Sequence, residues 1–311
     1  MCLIALAWKV HPLYPLALIA NRDEAHDRAS AASGFDPDAP HVYGGRDLVA
    51  GGGWLQASTR RRLAAVTNVR NGLGPEAAPR SRGWLVRDFV RAGDGAIESA
   101  RAVEGTAPEY GPFNLLLWDG DELAFASNQP RPQHAAVASG IHAMSNGAFD
   151  APWPKSMFAT RALESWMNAI PDAGVAANGP PDIEPLFAAL ADSGVAPDDA
   201  LPDTGVGIEL ERTLSPPFIV GDRYGTRCSS VVLVGEDGIL FAERRFGPGG
   251  TPNGESSTTL TSGLSPPRSA ADRHAGDGRI PFQRLLPASG NPVDHCAVDA
   301  GSRVAVAPRA H

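Results

Sequence analysis

The first part of the chain alternates between short apolar runs and polar turns, which is the pattern of β-strands. The apolar run 3–10 predicts a buried strand and 16–20 predicts its antiparallel partner, with a Pro-containing turn between them. Further strands are predicted at 54–57 and 63–68, separated by a polar turn. The first hairpin therefore brings the polar run 21–24 (Asn-Arg-Asp-Glu) to a strand end, close to the N-terminus.

Helical spacing of apolar residues appears later in the chain. The segment SRGWLVRDFVRAG predicts a helix with Ser81 as its N-cap and Gly93 as its stop. Two further helices and two further hairpins are predicted at 151–170, 181–194, 113–128 and 229–246. Strands, then helices, then strands again indicate an α+β layered domain of about 250 residues.

The character of the sequence changes at residue 247. From there the chain is rich in Gly, Pro, Ser and Thr and has few large apolar residues. Such a segment buries too little surface to offset the entropy lost on ordering. We therefore predict one folded domain at 1–246 and a disordered tail at 247–311.

Composition narrows the class of partner. A hydrophobic content of 43% supports a sizeable core, and a net charge of −8 argues against a nucleic-acid groove or binding to anionic lipid. The expected partner is a small-molecule substrate or cargo, and the oligomeric state stays open. No apolar stretch is long enough to span a membrane and no signal peptide is recognised, so we expect a cytoplasmic protein without stable membrane insertion.

The remaining composition offers no metal or phosphate site. The three cysteines, Cys2, Cys228 and Cys296, are too scattered for a disulfide framework or a zinc cluster. The histidines lack metal-ligand spacing. The glycine groups at 44–45 and 51–53 lack the rest of a phosphate-binding loop and predict tight turns instead.

Cys2 directly follows the initiator methionine. Methionine aminopeptidase removes Met1 when the second residue is small, which would leave Cys2 with a free α-amino group. An α-amine has an ordinary pKa of about 7.7 to 8.0, so it can accept the thiol proton as a built-in general base. The alternative is a small apolar residue packed in the first strand, as free cysteines commonly are. The residue alone leaves both interpretations open.

The polar run 21–24 offers partners for such a nucleophile. Arg22 near a thiol would stabilise the thiolate, and Asp23 would hold the new α-ammonium through a charge-assisted hydrogen bond. The competing interpretation is a solvated turn. The two residues have these roles only if Cys2 is the nucleophile.

Acyl transfer also needs hydrogen-bond donors aimed at the developing oxyanion, and an asparagine amide on a rigid strand meets that need. Asn68, at the end of LAAVTN, and Asn146, in AMSNGAFD, are the candidates. Either is also compatible with an ordinary turn asparagine. Arg227 precedes a predicted strand as a site charge or a surface cap, and Cys228 beside it is expected in the core.

Taken together, ordered blocks of the chain resemble the NRDE family, also called the transport and Golgi organization 2 family. The blocks span residues 1 to about 246 and read MC, LALIANRDEAHDR, GGGWLQASTRRRLAAVTNVR, SRGWLVRDFV, YGPFNLLL, GIHAMSNGAFDAPWPKSMF and DRYGTRCSSVVLV. That family is similar in turn to the N-terminal nucleophile hydrolases of the choloylglycine hydrolase and acid ceramidase type. The residues after 247 match nothing in this pattern.

The resemblance implies an αββα four-layer sandwich of two antiparallel sheets between helices. It also implies hydrolysis of a non-peptide amide or thioester of a small acyl or lipid-like molecule, with no cofactor required. The site residues that it implies are Cys2 as nucleophile and base, Arg22 and Asp23 as the positioning pair, Asn146 as the asparagine of an Asn-x-x-Phe context, and Asn68 and Arg227.

Two points argue against assigning the hydrolase function to this chain directly from the resemblance. The hydrolases commonly have two residues between the arginine and the aspartate, whereas Arg22 and Asp23 are adjacent, which puts the equivalence of Asp23 in question. Members of the NRDE family are implicated in haem trafficking, Golgi organisation and lipid or acyl-CoA homeostasis. The alternative to hydrolysis is a non-catalytic protein that carries haem or an acyl lipid as cargo on the same fold.

Overall fold

The computed structural model describes residues 2–72, 78–171 and 181–261. The strands are β1 Cys2–Trp8, β2 Leu16–Ala25, β3 Ser30–Asp36, β4 Ala39–Asp47, β5 Leu55–Ser58, β6 Arg62–Asn68, β7 Phe113–Trp118, β8 Leu123–Ser127, β9 Gln133–Ala136, β10 Gly140–Met144, β11 Tyr224–Gly235, β12 Gly238–Phe246 and β13 Pro252–Leu260. The helices are α1 Gly83–Arg91, α2 Ala96–Thr106, α3 Pro154–Ala169, α4 Glu184–Leu190 and α5 Ile208–Thr213. None of these helices, which belong to the described part of the chain, is long and apolar enough to cross a lipid bilayer.

The strands form two antiparallel sheets. The first has six strands in the order β10-β1-β2-β11-β12-β13, and the second has seven in the order β3-β4-β5-β6-β7-β8-β9. The first sheet combines the strands at the two ends of the described chain, because β2 pairs with β11. The N-terminal strand is therefore an inner strand, held between β10 and β2.

The sheets pack face to face, and successive residues of each strand point to opposite faces. Ile4 and Leu6 of β1 lie in the apolar core between the sheets, whereas Leu3 and Ala5 contact the layer formed by α3 and α4. Both faces of β1 are covered. That coverage explains why its sequence is continuously apolar and does not alternate.

The outer face of the second sheet is covered by α1 and α2. Val86 and Phe89 of α1 pack against Val66 of β6, and Ala100 of α2 lies in the same cluster. Burying a side chain of the size of Val or Phe contributes about 1.5 to 3 kcal/mol. The order of layers is thus helices, sheet, sheet, helices, and the predicted αββα sandwich is confirmed.

The polar run 21–24 lies inside a strand and not after one. The predicted partner strand ended at residue 20, but β2 continues to Ala25. Asn21 is in register with Leu3 of β1 on one side and with Ser229 of β11 on the other. Pairing on both sides holds these residues extended in spite of their low β-propensity.

The predicted boundary at residue 246 falls too early. Residues 252–260, assigned by the sequence to the disordered tail 247–311, form β13, which pairs with β12. The strand lies at the edge of the sheet and most of its side chains are exposed, so it needs no apolar pattern. The strand is held by backbone hydrogen bonds to β12, and amino-acid composition does not indicate such bonds. Residues 262–311 lie outside the described residues.

Candidate active site

At one end of the sandwich the apolar core between the sheets gives way to polar side chains. Cys2 lies opposite Arg22 across β1 and β2. Arg22 in turn lies opposite Cys228 of β11, and Cys228 lies opposite Arg245 of β12. Directly opposed residues of antiparallel strands share a face. The four side chains therefore form a row along the wall of a cavity of about 670 Å³.

The cavity wall combines charge with large apolar surface. Its charged residues are Arg22, Arg28, Arg46, Arg80, Arg82, Arg227, Arg245, Asp23, Glu24, Asp47 and Glu243. Its large apolar residues are Trp54, Val66, Trp84 and Phe246. Seven arginines against four acidic residues give these lining residues an excess of positive charge, although the chain has a net charge of −8.

Cys2 begins β1 and is 8% exposed. Its backbone carbonyl accepts a hydrogen bond from Oγ of Ser145 at 3.0 Å, which fixes the start of the strand. Burial raises the pKa of the Cys2 thiol above its ordinary value, while the nearby Arg22 acts in the opposite direction. The thiol is therefore neutral at pH 7, and it needs a base to become a nucleophile.

Arg22 and Asp23 are adjacent in β2, so their side chains leave the strand in opposite directions, and both residues line the cavity. Arg22 lies in the row beside Cys2, and its guanidinium donates to Glu24 at 3.4 Å. Asp23 is 1% exposed and accepts a hydrogen bond from Oγ1 of Thr226 at 2.7 Å. Burial raises the pKa of Asp23, against the lowering influence of that hydrogen bond. Both residues therefore lie at the start of β1, Arg22 in the row beside Cys2 and Asp23 more deeply buried.

Asn68 and Asn146 are joined by hydrogen bonds. Asn146 is fully buried, and its Nδ2 donates to both the backbone oxygen and Oδ1 of Asn68, each at 3.0 Å. Its own Oδ1 accepts from Nζ of Lys155 at 3.3 Å. Asn68 ends β6 and lines the cavity. Because Oδ1 of Asn68 is turned towards Asn146, its Nδ2 is the end of the amide that is left for the cavity.

Arg227 occupies a β-bulge between Thr226 and Cys228, where the register of β11 against β2 shifts. Bulges re-aim side chains and are common beside active sites. The Arg227 guanidinium donates to the backbone oxygens of Ala25 at 2.8 Å and Arg28 at 3.1 Å. Burial lowers its pKa. Arg227 thus lines the cavity and also fastens the connection from β2 to β3.

The structure adds residues that the sequence analysis did not select. Cys228, expected in the core, is buried but also lines the cavity. Glu243 lies beside it, 3% exposed, and accepts from the backbone nitrogen of Ser33 at 3.0 Å. Lys155 is 3% exposed and bonds to Asn146. The one sequence signal for Lys155 was its rarity, because Lys9 and Lys155 are the only lysines in the chain.

Asn21, the first residue of the polar run, serves the fold. It is fully buried, and its Nδ2 donates to the backbone oxygens of Leu190 and Pro217, both at 2.8 Å. Its Oδ1 accepts from Oγ of Ser229 at 2.6 Å. One amide thereby joins the first sheet to the end of α4 and to a loop.

We expect Asn21→Ala to lower the free energy of unfolding by about 2 to 4 kcal/mol, because several buried polar groups lose their partners. Urea denaturation followed by circular dichroism measures the change. The control is Asn168→Ala, an exposed position on α3, which should change the stability by no more than about 0.5 kcal/mol. Equal stability of the two variants would contradict the anchoring role of Asn21.

The residues 2–72, 78–171 and 181–261 contain no group of three or more His, Cys, Asp or Glu side chains arranged to hold a metal ion.

The fold and the site define a class: an αββα sandwich of two antiparallel sheets with a cysteine at position 2 in the wall of the cavity between them. The chain belongs to the Transport and Golgi organisation 2 family, whose sequence model matches residues 1–248. The human Transport and Golgi organization protein 2 homolog is 31% identical over 267 residues, covering 78% of this chain and 92% of that protein. The Drosophila melanogaster Transport and Golgi organization protein 2 is 29% identical over 281 residues, covering 82% and 95%. The family resemblance predicted from the sequence blocks is confirmed.

Two solved structures with low sequence identity were also found to be similar. The Caenorhabditis elegans ortholog of N-acylethanolamine-hydrolyzing acid amidase has a TM-score of 0.43 at 10% identity, covering 75% of this chain and 92% of that chain. A mutant of the conjugated bile acid hydrolase from Clostridium perfringens has a TM-score of 0.39 at 11% identity, covering 83% and 92%.

Proposed function

We propose that the protein is an N-terminal cysteine hydrolase that cleaves an amide or thioester of a small acyl or lipid-like molecule. The observation that carries the proposal is the position of Cys2 in the cavity wall, in register with Arg22. While Met1 is attached, the nitrogen of Cys2 is an amide without a basic lone pair. Removal of Met1 supplies an α-amine beside the thiol, so nucleophile and base become one residue.

In the acylation step the α-amine takes the thiol proton, and the sulfur attacks the substrate carbonyl carbon. A carbon–sulfur bond forms, and the carbonyl electron pair moves to the oxygen. The amide of Asn68 would donate to that oxyanion, and Arg22 favours the thiolate. When the tetrahedral intermediate collapses, the bond to the leaving group breaks and the α-ammonium returns its proton to that group. The product is a thioester on Cys2.

Deacylation repeats the sequence with water as the nucleophile. The α-amine takes a proton from water as the oxygen attacks the thioester carbon. The carbon–sulfur bond then breaks, the carboxylic acid leaves, and the sulfur regains its proton from the α-ammonium. Neither step needs a metal or an organic cofactor, since all proton transfers run through Cys2.

The cavity supports an amphipathic acyl substrate. Its volume of about 670 Å³ lies within the range of small-molecule sites. Trp54, Trp84 and Phe246 offer apolar surface to an acyl chain, and the excess of arginine favours a polar or anionic group on the same molecule. We place the reaction in the cytoplasm, where the initiator methionine is removed.

Intact-protein mass spectrometry followed by acyl labelling tests the proposal. We expect folded protein to lack Met1 and to form a stoichiometric adduct with at least one member of a panel of acyl thioesters and activated amides of increasing chain length. Peptide mapping should place the adduct on Cys2. Adducts on Cys228 or Cys296 would assign the reactivity to another thiol.

Two results would contradict the proposal. Retention of Met1 on folded protein would remove the only base that the mechanism provides. A processed protein that binds haem or an acyl lipid saturably, with no acylation of Cys2 by any member of the panel, would instead favour the non-catalytic carrier.

A further inference from the structure

Lys155 is a buried cation that the proposed chemistry does not use. It lies in the first turn of α3 and is 3% exposed. Its Nζ donates to the backbone oxygen of Leu214 at 3.2 Å and to Oδ1 of Asn146 at 3.3 Å. Both acceptors are uncharged, and burial of an ammonium on such partners is costly. A lysine buried at this cost suggests a function that needs an ammonium group and that a neutral side chain would not perform.

The charges around Lys155 come from four different elements. Asp23 of β2, Cys2 of β1 and Glu211 of α5 act to raise its pKa, and Arg70, which follows β6, acts to lower it. Burial is the largest influence and lowers the pKa of Lys155 to about 8. Among these groups Asp23 acts most strongly to raise the pKa of Lys155, and Glu211 forms an ion pair with Arg70. At pH 7 the ammonium form predominates.

The ammonium fixes the orientation of the Asn146 amide. A protonated lysine has three donors and no acceptor, so only the oxygen end of the Asn146 amide can face it. The nitrogen end then faces Asn68, in agreement with the two hydrogen bonds of 3.0 Å from Nδ2. That donor in turn requires the oxygen of the Asn68 amide. Lys155 thus donates to Asn146, and Asn146 donates to Asn68, which lines the cavity.

We propose that Lys155 is a positioning residue of the hydrolytic site, which holds Asn146 and, through it, Asn68 in the orientation that presents an N–H donor to the oxyanion. The inference rests on the proposed hydrolytic function. Without the ammonium, Oδ1 of Asn146 loses its charged donor and keeps the longer hydrogen bond from Oγ of Ser145 at 3.4 Å, so the amide is held less firmly and its turned-over orientation becomes populated. Asn68 would then turn its oxygen towards the cavity and repel the oxyanion that it should stabilise.

Acylation and alkylation of Cys2 separate this role from a general effect on the thiol or the fold. Acylation by a short-chain acyl thioester passes through an oxyanion, whereas alkylation by iodoacetamide does not. In Met1-processed Lys155→Met protein we expect the acylation rate to fall about 10²-fold while the alkylation rate stays within about twofold of wild type. Lys155→Arg, which keeps a donor-only cation, should recover most of the acylation rate.

The matched control is Lys9→Met, which removes the other lysine of the chain at an exposed position and should leave both rates unchanged. An unchanged acylation rate in Lys155→Met would overturn the inference. A parallel fall of acylation and alkylation would also overturn it, because Lys155 would then act on the thiol. Wild-type protein that is alkylated but never acylated would instead contradict the proposed hydrolytic function.

A second variant keeps the inference testable if Lys155→Met does not fold. Asn146→Asp has the shape of asparagine but cannot donate to Asn68, and it leaves Lys155 in place. It should reproduce the loss of acylation with alkylation retained. Acylation at the wild-type rate in Asn146→Asp would show that the direction of these hydrogen bonds is irrelevant and would overturn the inference.

Discussion

Replacement of Cys2 by alanine is expected to remove hydrolysis almost completely, by about 10⁴-fold or more in kcat, as is usual when a covalent nucleophile is lost. The replacement deletes the thiol on which the proposed mechanism forms the acyl intermediate. Cys228 does not substitute for it, because Arg22 stands between the two cysteines in the row and Cys228 carries no α-amine. The measurement is steady-state turnover together with the mass of the acyl adduct.

Cys228→Ala is the matched control for this result. It removes the other cavity thiol and should leave the acyl adduct on Cys2, although a small change in rate is expected from the altered wall. Turnover that persists in Cys2→Ala and disappears in Cys228→Ala would exchange the roles of the two cysteines. Persistence in both single variants and in the double variant would exclude Cys2 and Cys228 as the nucleophile.

Asn68→Ala is expected to lower kcat by about 10² to 10³-fold with little change in KM, the loss typical of one oxyanion donor. The hydrogen bonds from Asn146 leave Nδ2 of Asn68 for the cavity. In the proposed mechanism that donor strengthens its bond to the substrate carbonyl oxygen only when negative charge develops there. Asn68→Asp, similar in shape but without the donor, should lose at least as much activity. Single-turnover and steady-state kinetics on the same substrate give both constants.

The Asn68 prediction is contradicted by a different change in the kinetic constants. A rise in KM at unchanged kcat would mean that Asn68 binds the ground state and the transition state equally well. That result would mean that a different group in the cavity donates the hydrogen bond to the oxyanion. Asn168→Ala on the exposed face of α3 provides the control for nonspecific effects of an asparagine deletion.

The first hairpin shows how much of this fold was predictable from the sequence. Apolar runs at 3–10 and 16–20 around a Pro-containing turn match β1 and β2, because strands covered on both faces leave an uninterrupted apolar signal. The same hairpin correctly predicts that Arg22 lies beside Cys2. A local turn sets the register of such a pair, so the pairing can be inferred without the rest of the structure.

Other parts of the site depend on contacts between distant segments. Asn68 and Asn146 are 78 residues apart and come from different elements of the sandwich, so no local pattern indicates their hydrogen bonds. Lys155 lies in the first turn of a helix, where a lysine is usually exposed, and its buried Nζ is bound by Asn146 and by the backbone oxygen of Leu214, 59 residues away. Strand β13 was not predicted for a different reason. It is held by backbone hydrogen bonds at the edge of the sheet, and these require no apolar pattern in the sequence.

The enclosure of β1 between two neighbouring strands sets an order of events during biosynthesis. Once the sheet has formed, residue 2 is 8% exposed and paired with Arg22 of β2, so the peptide bond before it is less accessible to an aminopeptidase than in the nascent chain. Cleavage of the initiator methionine is therefore expected on the nascent chain, before the C-terminal strands are synthesised and complete the sheet. In the proposed mechanism, a cell whose processing lags behind translation would accumulate folded molecules that lack the α-amine of Cys2 and are therefore inactive. Specific activity in a recombinant preparation would then report the processed fraction, and an affinity tag at the N-terminus would abolish it.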